Sequence, residues 1–201
     1  MDLITVLRHY DTVAFQFLNH LIANPIWDGF MVAITTREYW LAPLAVTWIL
    51  LIWKGGARGR AAAVLVLLAV GLTDWTIARL IKPEVGRLRP CHELENVRLL
   101  VSCGGKHGFP SSHAANSFAA AITLAYFYRR YAGIFLSFAF LVGFSRIVVG
   151  VHYPGDVLTG FLWGSLNAML FLWFYRKLPT TKFWANLIFP IALVVIFSYF
   201  N

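Results

Sequence analysis

"GFPSSHAANSF", residues 108–118, stands at the head of a run that stays apolar through Tyr128. Gly108 and Pro110 break whatever precedes them, and two serines and a histidine come next. A serine at a helix start accepts the orphan N–H groups of the first turn. Those same N–H groups and the helix dipole attract anions. The stretch therefore reads either as an ordinary helix start or as an anion site built on one. Both readings predict a helix over 111–128 that enters an apolar phase from a polar turn.

The rest of the chain repeats that apolar pattern. A spanning helix needs about 20 mostly apolar residues. Six segments approach this length: 13–36 (broken near Pro25), 38–53, 61–80, 111–128, 132–151 and 156–175. A seventh, "FWANLIFPIALVVIFSYF" at 183–200, is interrupted by Pro190. Residues 1–24 have a second reading as an interfacial amphipathic helix, because "DTVAFQFLNHLI" mixes polar and apolar positions. The expected fold is all-α: a polytopic membrane bundle of six core transmembrane helices, with the seventh apolar segment beyond them. The whole chain, 1–201, reads as one integral membrane domain. Asp2, Arg8, His9 and Asp11 interrupt the N-terminal apolar residues, so no cleavable signal sequence is expected.

Composition agrees. The chain is 59% hydrophobic and 13% charged, with a mean hydropathy of +0.68. Soluble domains carry roughly 25% charged residues. The net charge of +8 sits between apolar runs, not on a polar face, so nucleic acid is not the expected partner. Anionic head groups and phosphate fit better. "KGGARGR" (54–60), "RRYAG" (129–133) and "RKLPTTK" (176–182) are basic connections and are expected on the cytoplasmic side. The long connection 81–110 and the short one at His152 then fall outside. The long one is also basic, against the rule, as if cations were needed there. It holds both cysteines, Cys91 and Cys103. Two are too few for a zinc site. They read as a disulfide if the loop faces an oxidising compartment, or as two free thiols.

Three polar clusters interrupt the apolar runs: "KPEVGRLRP" from Lys82, "PSSH" from Pro110 and "SRIVVGVHYPGD" from Ser145. Each has a bland reading alone, as snorkelling anchors, a helix cap or a histidine–carboxylate pair. The inferred topology places all three at one membrane face, and intramembrane ionisable groups are costly enough to imply function. A transporter pathway through Asp74, Arg79, Asn116 and Asn167 is disfavoured, because the charges gather at one interface and do not repeat through the depth.

The clusters resemble the signature of the type 2 phosphatidic acid phosphatase (PAP2) superfamily: K-x6-RP, then PSGH, then SR-x5-H-x3-D. Here they read Lys82-x6-Arg89-Pro90, Pro110-Ser111-Ser112-His113 and Ser145-Arg146-x5-His152-x3-Asp156. One position departs, since Ser112 replaces the family's glycine. The resemblance implies a phosphohydrolase working through a phosphohistidine. It implies His152 as nucleophile, Asp156 as the group fixing its tautomer, and His113 as proton donor and later base. Lys82, Arg89, Arg146 and the turn at Ser111 and Ser112 would bind phosphate. No metal and no cofactor are expected. The expected substrate is a membrane lipid phosphate, with undecaprenyl diphosphate foremost; phosphatidylglycerophosphate, phosphatidic acid and lipid A 1-phosphate are the alternatives. The expected setting is a bacterial inner membrane, with the site facing the periplasm. A catalytically dead scaffold on the same fold is disfavoured, because every matched position is filled. The stretch 91–108, with His92, Glu93, Arg98, Lys106 and His107, is a candidate for head-group selection.

Overall fold

The computed structural model describes residues 2–21 and 23–177. The apolar segment at 183–200 lies outside the described residues. Within them the chain is helical: α1 (Leu3–Leu21), α2 (Pro25–Thr35), α3 (Arg37–Trp53), α4 (Gly56–Thr76), a π segment (Ile77–Ile81), α5 (Lys82–Val85), α6 (Pro90–Glu93), α7 (Ser112–Phe127), α8 (Ala132–Val148) and α9 (Pro154–Lys177). Among the described residues, three continuous stretches are long and apolar enough to cross a membrane: Gly56–Val85, Arg129–Val148 and Pro154–Lys177. Helices α3 and α7 are shorter, at 17 and 16 residues.

The expected first segment, 13–36, is two helices. Pro25 occupies the first turn of α2, where its missing N–H costs nothing. The Asn24 side chain caps that turn by accepting from the N–H groups of Ile26 and Trp27. Helix α1 does not run with the bundle. Asp11, Phe15 and Asn19 touch Gly155, Tyr153 and Val148 in turn, all at one end of α8 and α9. A helix whose successive turns all meet the same end of a bundle lies across that end. This matches the interfacial reading of residues 1–24. The other face of α1 exposes Leu3, Leu7, Tyr10, Phe17 and Leu21.

Helix α7 is the centre of the bundle and packs on α4, α8 and α9. Its contact faces are small: Ala114, Ala115, Ala119 and Ala121 are buried. Gly164 of α9 sits so close to the Ala115 backbone that a Cβ would collide with its carbonyl. Between membrane helices lipid offers as apolar a partner as protein, so close van der Waals approach holds the helices together. Each atom pair contributes only ~0.1–0.2 kcal/mol, and small residues multiply the pairs. Large side chains point outward instead: Leu158, Leu162, Leu166 and Trp173 of α9 are all exposed.

The two ends of the bundle differ. One carries Arg58, stacked on Tyr128, together with Arg129 and Arg130. The other carries α1, the 86–111 connection and the 149–153 turn. That connection folds back on itself, with Leu88 opposite His107 and a Cys91–Cys103 disulfide beyond them. Asn19 is fully buried and ties the connection to α8, donating to the carbonyls of Arg98 and Val148 and accepting from the Arg98 N–H.

Candidate active site

The three polar clusters meet at the α1 end. Lys82 begins α5 directly after the π segment. A π turn inserts a residue into the helical repeat and re-aims the side chains beyond it; such turns gather at functional sites. Lys82 lies within electrostatic reach of Arg89, Arg146, Asp74 and Asp156. Arg89 comes from the folded-back connection, where its Nη1 donates to the Cys103 carbonyl at 2.8 Å. The disulfide thus closes the loop whose carbonyl aims this guanidinium.

Arg146 sits in the last turn of α8 and is buried. Its Nη1 donates to the Thr35 hydroxyl of α2. Its backbone carbonyl accepts from the N–H groups of Val151 and His152, at 3.1 and 3.2 Å. The turn carrying His152 is therefore built on Arg146 itself, which explains the short spacing between them. Gly150 makes that turn with φ +88, a conformation other residues resist.

His152 is 1% exposed. Its Nδ1 lies 3.3 Å from Asp156 Oδ2, and the same carboxylate oxygen accepts from the Tyr153 N–H at 3.1 Å. Pro154 starts α9, so the pair spans a turn and a helix start. Besides this Nδ1 contact, the ring is hydrogen-bonded to the Gly108 backbone. Burial, reinforced by Arg89, Arg146 and Lys82, holds the imidazole pKa well below its ordinary value. His152 is therefore neutral and carries a lone pair near neutral pH. Burial and the hydrogen bond to Glu93 push the neighbouring Tyr153 hydroxyl up, so it remains a donor.

Helix α7 supplies the fourth side. Ser111 is its N-cap, and its N–H donates to the Asp156 carbonyl at 3.0 Å, joining α7 to α9. Ser112 occupies the first turn. His113 stays accessible and lies within electrostatic reach of Arg146, His152, Arg89 and Lys82. The Ser111 hydroxyl makes no cap bond. It is one of three buried polar atoms here with no protein partner among the described residues; the others are Arg89 Nε and Arg146 Nε. Two unpaired guanidinium N–H groups and a hydroxyl beside a helix N-terminus form a donor set suited to a tetrahedral oxyanion.

All eight residues singled out from the sequence thus lie at one end of the bundle. The head-group candidates sit in different settings, with His107 opposite Leu88 in the folded-back connection. Arg98 turns inward to Asn19 and Asp28, and Glu93 holds Tyr153. His92 and Lys106 are exposed. Other site neighbours lie outside the three motifs' matched positions. Asp11 and Arg87 contact the His152–Asp156 turn, and Thr35 holds Arg146. Arg87 carried a local signal, as a further cation inside the Lys82–Arg89 spacer. Asp11 carried none.

The buried His152–Asp156 pair lies within electrostatic reach of Lys82, Arg89 and Arg146, at the end of the bundle where α7 begins. The chain belongs to the PAP2 superfamily, whose family model matches residues 61–180, and it is a multi-pass membrane phosphatase. It is 35% identical over 185 residues to the lipid A 4'-phosphatase of Bacteroides thetaiotaomicron, covering 88% of this chain and 81% of that protein. It is 32% identical over 151 residues to the undecaprenyl-diphosphatase BcrC of Bacillus subtilis, covering 75% and 76%. The structure of a PAP2-type phosphatidylglycerolphosphate phosphatase from Bacillus subtilis superposes with a TM-score of 0.67 at 24% identity, over 87% of this chain and 88% of that one.

Proposed function

We propose that this chain hydrolyses the terminal phosphate of a membrane lipid through a phosphohistidine. The observation carrying the proposal is His152, buried and neutral with Nδ1 on Asp156, beside unpaired donors of Arg89 and Arg146. Nε2 attacks phosphorus, forming a P–N bond as the P–O bond to the lipid breaks. His113 gives its proton to the departing lipid oxygen. It then takes a proton from water, whose oxygen attacks phosphorus and breaks the P–N bond, releasing inorganic phosphate. Lys82, Arg89 and Arg146 hold the equatorial oxygens, where charge accumulates. Ser111 and Ser112 add donors at the α7 terminus.

The substrate we favour is a phosphomonoester on a bulky head group, of the lipid A 4'-phosphate kind. Two things support it. The relative of that name is 35% identical over most of both chains. At the site, Lys82, Arg89 and Arg146 have no ion pair among the described residues and suffice for one phosphoryl group, whereas Arg87 and Arg98 are tied to aspartates. Undecaprenyl diphosphate is the second reading. It is supported by the BcrC relative and by exposed Lys106, which is available to a second phosphate. Purified protein given lipid A, undecaprenyl diphosphate, phosphatidylglycerophosphate and phosphatidic acid in one detergent separates them by kcat/KM. A preference of about tenfold or more for the diphosphate overturns the monoester reading. Release of phosphate from none of the four overturns the function.

The chain's own imidazoles and cations carry every step, so turnover is expected to survive EDTA. Complete loss with chelator, restored by Mg²⁺, would count against the mechanism. We place the protein in a bacterial inner membrane with its site toward the periplasm. The basic end at Arg58, Arg129 and Arg130 then faces the cytoplasm, and the Cys91–Cys103 disulfide lies in an oxidising compartment.

A further inference from the structure

Asp156 is fully buried, and a buried carboxylate persists only with strong partners. One of its oxygens serves His152 and Tyr153. The other, Oδ1, accepts from Arg87 Nη1 at 3.0 Å. Arg87 is not free to leave. Its Nη2 donates to Asp11 Oδ2 at 2.7 Å, and its guanidinium carbon lies 4.1 Å from the Tyr153 ring centroid. Tyr153 is buried and fixed by its hydroxyl, which donates to Glu93 at 2.8 Å. The second Asp11 oxygen accepts from the Gly155 N–H at 2.7 Å, in the first turn of α9. A Cβ at Gly155 would meet the Asp11 carboxylate at 2.7 Å, so glycine is what lets the two approach.

Two aspartates from distant parts of the chain, α1 and α9, thus share one arginine fork. The fork is aimed at the carboxylate that faces His152. We propose that Arg87 and Asp11 are positioning residues for phosphoryl transfer: they hold Asp156, and through it the His152 ring, so that Nε2 is presented in line to phosphorus. The interfacial helix α1 is then part of the catalytic apparatus, because it delivers Asp11. The inference rests on His152 being the nucleophile.

The geometry favours positioning over charge supply. Arg87 already answers two carboxylates, so little of its charge remains for the substrate. Its planar fork matches two oxygens at once, which an ammonium cannot do. Small displacements of an attacking group are expensive, because the rate depends on near-attack geometry. The loss should therefore fall on kcat and leave KM little changed.

The test uses the full chain purified in detergent, with kcat, KM, acid-quenched phosphoenzyme and Tm measured for each variant. Arg87→Gln should lower kcat by roughly 10–100-fold, the scale of losing a group that orients a ligating or reacting histidine. Arg87→Lys should not restore it. Asp11→Asn keeps the oxygen that accepts from Gly155 and weakens only the ion pair, so it should give a smaller loss in the same direction. It also serves if Arg87→Gln does not fold. The decisive readout is a double-mutant cycle. If Arg87 acts through Asp156, adding Arg87→Gln to Asp156→Asn should cost little beyond Asp156→Asn alone. Additive losses in kcat, or a fall in Tm with kcat per folded molecule unchanged, overturn the inference. His152→Ala runs beside these variants. If it retains turnover, the nucleophile assignment falls. If it is inactive while Arg87→Gln and Asp11→Asn turn over normally, only the positioning inference falls.

Discussion

His152→Ala is expected to abolish turnover while leaving a folded protein that still binds inorganic phosphate. The ring makes few bonds that hold the fold: Nδ1 meets Asp156, and the backbone of the turn hangs on Arg146 regardless of the side chain. Truncation leaves Lys82, Arg89 and Arg146 in place, so the anion site survives. What is lost is the nitrogen proposed to attack phosphorus. Removing the nucleophile of a covalent hydrolase costs on the order of 10⁶ in turnover. Phosphate release by purified protein and trapping of labelled phosphoenzyme check this together. Retention of more than a few per cent of wild-type kcat, or a stable phosphoenzyme on the variant, would move the nucleophile elsewhere. His113→Ala should differ in kind. It should slow both formation and breakdown of the phosphoenzyme, because the proposed mechanism has His113 serve the departing oxygen and then the water.

The residues that carry this prediction are readable because their spacing is local. Lys82 to Arg89, Ser111 to His113 and Arg146 to Asp156 each fall within one turn-sized segment, and apolar runs separate the segments. Those runs also mark the three long spans between Gly56 and Lys177, to within a few residues at most ends. What resists reading depends on contacts made far along the chain. Asp11 reaches Gly155 across 144 positions, and Thr35 reaches Arg146 across 111. Nothing near Asp11 or Thr35 marks either as a site residue. The π segment at Ile77–Ile81 is equally silent, since an inserted residue does not disturb a run apolar on every side. Residues 13–36 mislead as a span because Asn24 and Pro25 act as a cap and a new start, not as a kink. Arg98 reads as a head-group contact because loops usually carry specificity. In the structure it joins α1 and α2 through Asn19 and Asp28, contacts made far along the chain.

Arg146→Lys is the second large effect, although it conserves charge. Arg146 does three things from one position. Its carbonyl carries the N–H groups of Val151 and His152, its Nη1 donates to Thr35, and its Nε is left without a protein partner beside the histidines. The first task is backbone and survives any substitution. The other two need donors on different edges of one rigid plane, one anchored in α2 and one free for phosphate. A lysine ammonium is a single compact donor centre and cannot serve both. If it follows Thr35 it leaves the phosphate, and if it follows phosphate it loses its anchor and its alignment. Charge remains nearby in either case, so ground-state binding should persist and the loss should appear in kcat. Losing one preorganised donor to a developing oxyanion costs roughly 10²–10³-fold, or about 2.7–4 kcal/mol. Lys82→Arg should be milder, because a point charge at the end of a flexible stem is less geometrically committed. Arg130→Lys, exposed at the far end of the bundle, is the control and should match wild type. Thr35→Val gives a separate check. It removes the anchor but leaves the guanidinium, so it should lower kcat less than Arg146→Lys and in the same direction. Near-normal kcat for Arg146→Lys, with Thr35→Val also unaffected, would show that the phosphate is held by Lys82 and Arg89 alone. Arg146 would then matter only for the turn that carries His152.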